Sequence, residues 1–125
     1  MNRKIVFRGK CAGSWRKGDH LTYANGEVIK QWSGSISPEY DVEPDTVGQF
    51  TGKYDSDNNE IYEGDIVEFT GYDHRMFVCW DNRDGKFLLA SLKDKLFALE
   101  MHSIDIFAVK VIGNIYDNPG LLKGE

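Results

Sequence analysis

The sequence predicts a mainly β fold, short antiparallel strands arranged as a sandwich or small barrel, on three observations. Apolar and polar residues alternate with period two, turn residues recur roughly every eight to twelve positions, and no long amphipathic helix interrupts them. Lys4-Ile5-Val6-Phe7-Arg8 opens as a strand with Ile5 and Phe7 on one face, and Gly9 ends it. His20-Leu21-Thr22-Tyr23 and Glu27-Val28-Ile29-Lys30-Gln31-Trp32 flank Asn25-Gly26, the dipeptide that best tolerates the positive φ values of a tight hairpin turn.

From Ser33 to Pro44 the chain turns to Ser, Gly, Pro and acids, which predicts a surface loop between an N-terminal and a C-terminal half. Val47-Gly48-Gln49-Phe50-Thr51-Gly52 is then a short strand, Asp55-Ser56-Asp57-Asn58-Asn59 a solvated tip, and Glu63-Gly64-Asp65 a corner that launches Ile66-Val67-Glu68-Phe69. Met76-Phe77-Val78-Cys79-Trp80 and Lys86-Phe87-Leu88-Leu89-Ala90-Ser91 form a largely buried hairpin about Asp81-Asn82-Arg83-Asp84-Gly85. Leu92, Leu96 and Leu99 fit either a short helix or another strand, and Ile106 to Ile115 is the last strand, closed by Asp117-Asn118-Pro119-Gly120. The letters show no internal repeat.

With 125 residues, 41% hydrophobic, 13% aromatic and 28% charged, the chain has the composition of an ordinary globular protein rather than a disordered, collagenous or membrane one. A chain of this length buries roughly two thirds of its unfolded surface, so it needs no disulfide or structural metal. No stretch approaches the roughly 20 apolar residues of a membrane-spanning helix, and charge interrupts the N-terminus before any signal-like apolar region, so a cytoplasmic location is expected. Cys11 and Cys79 suit a reducing compartment.

The net charge of -5 conceals an asymmetry. Residues 1 to 17 carry Arg3, Lys4, Arg8, Lys10, Arg16 and Lys17 with no acid, whereas residues 39 to 68 carry ten acids against Lys53 alone. Attraction between these segments, within one fold or across a dimer, is the leading reading. The alternative is nucleic-acid binding by Arg3, Lys4, Arg8, Lys10, Arg16 and Lys17, with Trp15 as a stacking residue.

Chemical signatures are incomplete. Asp55, Asp57 and Asn59 match the first ligand positions of a calcium loop, but Glu60 stands where its glycine belongs and Ile66 where its bidentate glutamate belongs. Pro44-Asp45 with Asp84-Gly85-Lys86 imitates the two carboxylates and lysine of a magnesium-dependent nuclease, a third reading that turn chemistry explains as well. Cys11 with His20 is the nearest approach to a nucleophilic pair, no Cys or His spacing suits zinc, and the phosphate-loop and nucleophile-elbow patterns are missing. No catalytic residue, metal or cofactor is expected.

Four segments in order carry a resemblance: Ile5-Val6-Phe7-Arg8-Gly9-Lys10, Thr46-Val47-Gly48-Gln49-Phe50-Thr51-Gly52, Glu60-Ile61-Tyr62-Glu63-Gly64-Asp65-Ile66-Val67 and Val111-Ile112-Gly113-Asn114-Ile115-Tyr116-Asp117-Asn118-Pro119. Together they resemble the YopX family over nearly the whole chain, with Asp57-Asn58-Asn59 departing from its usual Asn-Gly turn. The resemblance implies an SH3-like barrel or roll, encoded in bacteriophages and prophages, with no activity to carry over. The expected organisation is one YopX-like unit over 1–125, with an N-terminal β-hairpin subdomain over 1–45 and an SH3-like barrel over 46–125. Gly48, Gly52, Gly64 and Gly113 are expected at tight corners, Asp65 as a backbone acceptor and Tyr62 in the interior, all serving architecture. The expected function is a non-catalytic module that binds a protein partner or itself, with no role at a membrane.

Overall fold

The computed structural model describes residues 5–32, 35–69, 75–91, 98–100 and 109–123, so the expectations placed on Arg3, Lys4, Ser33, Gly34, Leu92 and Leu96 fall outside the described residues. By its internal contacts the chain divides into Met1–Phe50 and Thr51–Glu125. In the first unit β1 (Phe7–Cys11), β2 (Ser14–Tyr23), β3 (Gly26–Lys30) and β4 (Glu39–Val42) form an antiparallel meander. A 3-10 turn at Pro44–Thr46 follows, and the start of β5 (Gly48–Tyr54) returns to β1, for a strand order of β4-β3-β2-β1-β5.

Three local expectations are corrected here. The first strand does not stop at Gly9; it continues to Cys11 and turns at Ala12-Gly13, both with positive φ, so that Cys11 faces Ser14. Its buried positions are Arg8 and Gly9, on opposite faces, whereas Ile5 is 61% exposed. Gly9 is required because a Cβ there would stand 2.9 Å from Cβ of Val42, where the end of β4 folds back over β1. Two hydrogen bonds hold that curl: Glu43 N–H donates to the Lys10 carbonyl at 2.9 Å, and Lys10 N–H to Thr46 Oγ1 at 2.9 Å. The second hairpin is present but centred on Ala24-Asn25, with Tyr23 paired to Gly26, so Gly26 alone takes the positive φ (145°). Glu39–Val42, read as loop, is a strand because register sets Tyr40 against Ile29 and Glu39 against Lys30.

In the second unit the outer half of β5 lies beside β6 (Glu60–Tyr62). β7 (Asp65–Phe69), β8 (Arg75–Asp81), β9 (Lys86–Ala90) and β10 (Ala98–Glu100) form a second meander, and β11 (Val109–Asn114) returns to β7, for the order β10-β9-β8-β7-β11. A one-turn helix, α1 (Gly120–Lys123), follows. Strand alternation sends Val67, Met76, Val78, Phe87 and Leu89 to one face, where they meet Ile61 and Val109 in a buried cluster. Each such side chain contributes about 1.5–3 kcal/mol by leaving water. The alternate residues Phe77, Cys79 and Leu88 are only half-buried, so the β8–β9 hairpin is buried on one side rather than two.

Both units share one connectivity, a four-strand meander whose fifth strand returns antiparallel to the first. The returning strands carry a short likeness at different places, Val47-Gly48-Gln49-Phe50 at the start of β5 and Ile112-Gly113-Asn114-Ile115 at the end of β11. Neither sheet closes on itself among the described residues, so the expected barrel is corrected to open sheets, with β10 and β11 as the edges of the second. The residues at the corner before β7 behave as architecture: Asp65 Oδ2 accepts from Tyr62 N–H at 2.7 Å, and Tyr62, Asp65, Ile66 and Val67 are buried. Gly52 has a positive φ within β5, Gly48 is the first residue of β5 after the 3-10 turn, and Gly113 lies within β11 at a register shift. At Gly113 the need is for space, since a Cβ would meet Asn118 Oδ1 at 2.6 Å.

Candidate interaction surface

The basic N-terminal run is split by the alternation of the strands that carry it. Arg8 and Lys10 share a face with Trp15 and Lys17, whereas Arg16, opposite Gly9, points to the other side. Arg8 is buried with its guanidinium carbon 4.6 Å from the Trp15 ring centre, and Lys10 Nζ is 5.9 Å from the same ring. Arg16 stacks on Tyr40 at 4.1 Å. Lys17 is exposed. Trp15, the residue suited to stacking on a base, is thus engaged by the chain's own cations, and the run forms no single basic face among the described residues. A gel shift at low salt is expected to show no retention of single- or double-stranded nucleic acid.

The residues of the other chemical signatures have local roles. Asp84 and Lys86 flank Gly85 in the β8–β9 turn, 4.0 Å apart as an exposed ion pair, and Asp45 lies exposed in the 3-10 turn of the first unit. Cys11 faces Ser14 at one end of the β1–β2 hairpin, while His20 lies six residues further along β2, roughly 20 Å away. His20 Nε2 instead meets Glu27 Oε2 at 2.9 Å. Thr22 also donates to that carboxylate, at 2.7 Å, and these two contacts hold Glu27 below its ordinary value.

Asp55, read as part of a solvated tip, is 2% exposed. Its Oδ1 accepts from the N–H groups of Asp57 (2.9 Å) and Asn59 (2.8 Å), and its Oδ2 from Val111 N–H (2.9 Å) and Asn59 Nδ2 (3.3 Å). Asp57 faces Lys110 at 3.6 Å. Among the described residues no group of three His, Cys, Asp or Glu side chains is placed to hold a metal ion. Burial, helped by the charges of Glu63 and Asp81, pushes the Cys79 thiol up, away from its reactive thiolate form. Iodoacetamide at pH 7 is therefore expected to alkylate Cys79 more slowly than free glutathione, with the rate rising in denaturant; a native rate equal to that of glutathione would contradict this.

What the sequence reading missed lies on the outward side of β2, β3 and β4. Register places Asp19 opposite Lys30 and Lys30 opposite Glu39, with Val28 between Leu21 and Asp41 on the same face. Trp32 and Tyr23 stand over these positions, 66% and 44% exposed. Trp32 Nε1 donates to Asp19 Oδ2 at 2.5 Å, Lys30 Nζ sits 4.1 Å from the Trp32 ring centre and 3.6 Å from Glu39, and Tyr23 Oη donates to both Glu39 oxygens at 3.1 Å. The Glu39 hydrogen bond, with lesser help from burial and the carboxylate charge, holds the Tyr23 hydroxyl above its ordinary value. Two aromatic side chains are thereby tethered at the surface above a buried Val28. The available signal was the common parity of Val28, Lys30 and Trp32, together with that of Glu39 and Asp41.

No helix among the described residues is long and apolar enough to cross a membrane. A comparison with curated proteins gives no match. A family model described as YopX protein matches residues 7–123. That span runs from the first residue of β1 to the last of α1 and includes both meanders, and the chain belongs to the YopX family.

Proposed function

We propose that this YopX-family chain is a phage or prophage accessory protein of the host cytoplasm that acts without catalysis, by binding another protein or by self-association. The observation that carries the reading is a division of labour among its side chains. The best-marked polar residues, Asp55, Asp65 and Asn114, spend their oxygens on backbone N–H groups of the fold. Large apolar side chains, by contrast, stand in solvent: Trp32, Ile36, Ile5 and Tyr23 are each more than two fifths exposed. A contiguous exposed apolar patch marks an association site, and Trp32 and Tyr23 both stand on the Asp19–Lys30–Glu39 face of β2, β3 and β4. An SH3-like roll is the finer fold reading for the second unit, supported by a meander whose last strand returns to its first.

Size-exclusion chromatography with light scattering, paired with capture from phage-infected cells, tests the reading. The expected result is a defined oligomer or a recurrent protein partner. A monomer that captures nothing, or hydrolysis of a nucleic acid by the pure protein, overturns it.

A further inference from the structure

We propose that the outward face of β2, β3 and β4 docks a lysine- or arginine-bearing segment of a protein partner, an inference that rests on the binding-module reading above. The face is aromatic and acidic at once. Asp19, Glu39 and Asp41 are exposed on it against two cations of the same face, Lys30, already engaged by Glu39 and by the Trp32 ring, and the exposed Lys17, two residues before Asp19 on β2, so that one negative charge is in excess. A further cation on this face meets net negative charge and, at Trp32 and Tyr23, two rings whose π faces attract ammonium and guanidinium groups. The Lys30 ammonium 4.1 Å from the Trp32 ring shows that ring receiving a cation here.

Pre-organisation points the same way. Binding usually costs the ordering of exposed side chains, but Trp32 is tied to Asp19 and Tyr23 to Glu39 before any partner arrives. Rigid aromatic side chains of this kind are the usual anchors of protein interfaces. The acidic surroundings oppose a phosphate backbone, which makes the occupant a protein segment rather than a nucleic acid. The carboxylates lie on two strands with β3 between them, and two of them already accept N–H or O–H donors, an arrangement suited to an extended cationic segment rather than a single metal ion.

The test is fluorescence anisotropy of labelled octalysine and octaarginine titrated with the full chain, with octaglutamate as control. Three variants separate this face from the general acidity of the chain: Trp32→Ala, Asp41→Lys, and Asp84→Lys, which changes the net charge equally at an exposed turn of the second unit. The expected result is salt-sensitive binding of the cationic peptides that Trp32→Ala and Asp41→Lys each weaken about tenfold, roughly 1.4 kcal/mol, while Asp84→Lys changes it less than about twofold. Circular dichroism identical to wild type confirms that the exposed substitutions leave the fold intact. Equal weakening by Asp41→Lys and Asp84→Lys, indifference to Trp32→Ala, or no binding of either cationic peptide overturns the proposal. Self-association that Trp32→Ala abolishes also overturns it, by making a second copy the occupant, and leaves the binding-module reading standing. A monomer without partners defeats both.

Discussion

Asp55→Ala is expected to destabilise the second unit by about 3 kcal/mol, the cost of leaving several buried N–H donors without their charged acceptor. The side chain gathers the N–H groups of Asp57 and Asn59 from the β5–β6 connection and that of Val111 from β11, so one carboxylate ties a hairpin tip to a strand 56 residues away in sequence. Thermal denaturation reads the effect as a midpoint lower by roughly 10 °C or more. Asp55→Asn keeps the shape but presents N–H to N–H, and falls between the two. A midpoint unchanged by Asp55→Ala would remove the anchor role.

The same residue sets a pH dependence. Burial works to raise the Asp55 value, but the donors from Val111, Asn59 and Asp57 together outweigh it, and the carboxyl lies below its ordinary range. A folded value below the unfolded one means that the contribution is fully present above the ordinary aspartate value of about 4 and disappears as pH falls through the folded value. The stability gap between wild type and Asp55→Asn, measured by urea denaturation, is therefore constant near neutrality and narrows below about pH 4. A gap that widens with acid would contradict the sign.

Gly64→Ala is expected to cost about 2–3 kcal/mol, and more than the same change at Gly85 in the exposed β8–β9 turn. Gly64 has φ 93°, and a Cβ there would lie 2.8 Å from Cε2 of Tyr116. Its N–H donates to the Val78 carbonyl and its carbonyl accepts from Ile115 N–H, so the backbone cannot shift to relieve the clash without breaking a bond to a neighbouring segment. Gly85 also has a positive φ, yet a Cβ there meets nothing within 4 Å. Comparing the two variants by urea denaturation separates strain from steric conflict. Equal losses would place the whole cost in the backbone angle.

The strands were legible where alternation and a turn coincide, as in Met76–Trp80 with Lys86–Ser91. They were misjudged where a tertiary contact supplies the reason. Gly9 reads as a strand end, but Val42 folding over it makes glycine a requirement within the strand. Glu39–Val42 reads as loop because acids and prolines surround it, but the cross-strand partners Lys30 and Ile29 bring it into the sheet. Asp55 reads as a wet turn residue, and four donors, one of them from β11, bury it. The shared strand order of the two units left only a four-residue likeness, because topology constrains where strands go more than which apolar residue each one carries.

Composition and periodicity by themselves determined that this is a β protein, and the ordered motifs determined its family, since both are properties of residues close together along the chain. Tertiary structure alone decided which charges act together: neighbouring cations in a strand point to opposite faces, while register sets Asp19, Lys30 and Glu39 side by side from three strands. A surface for binding is made by that second kind of adjacency, which arises only when strands pair.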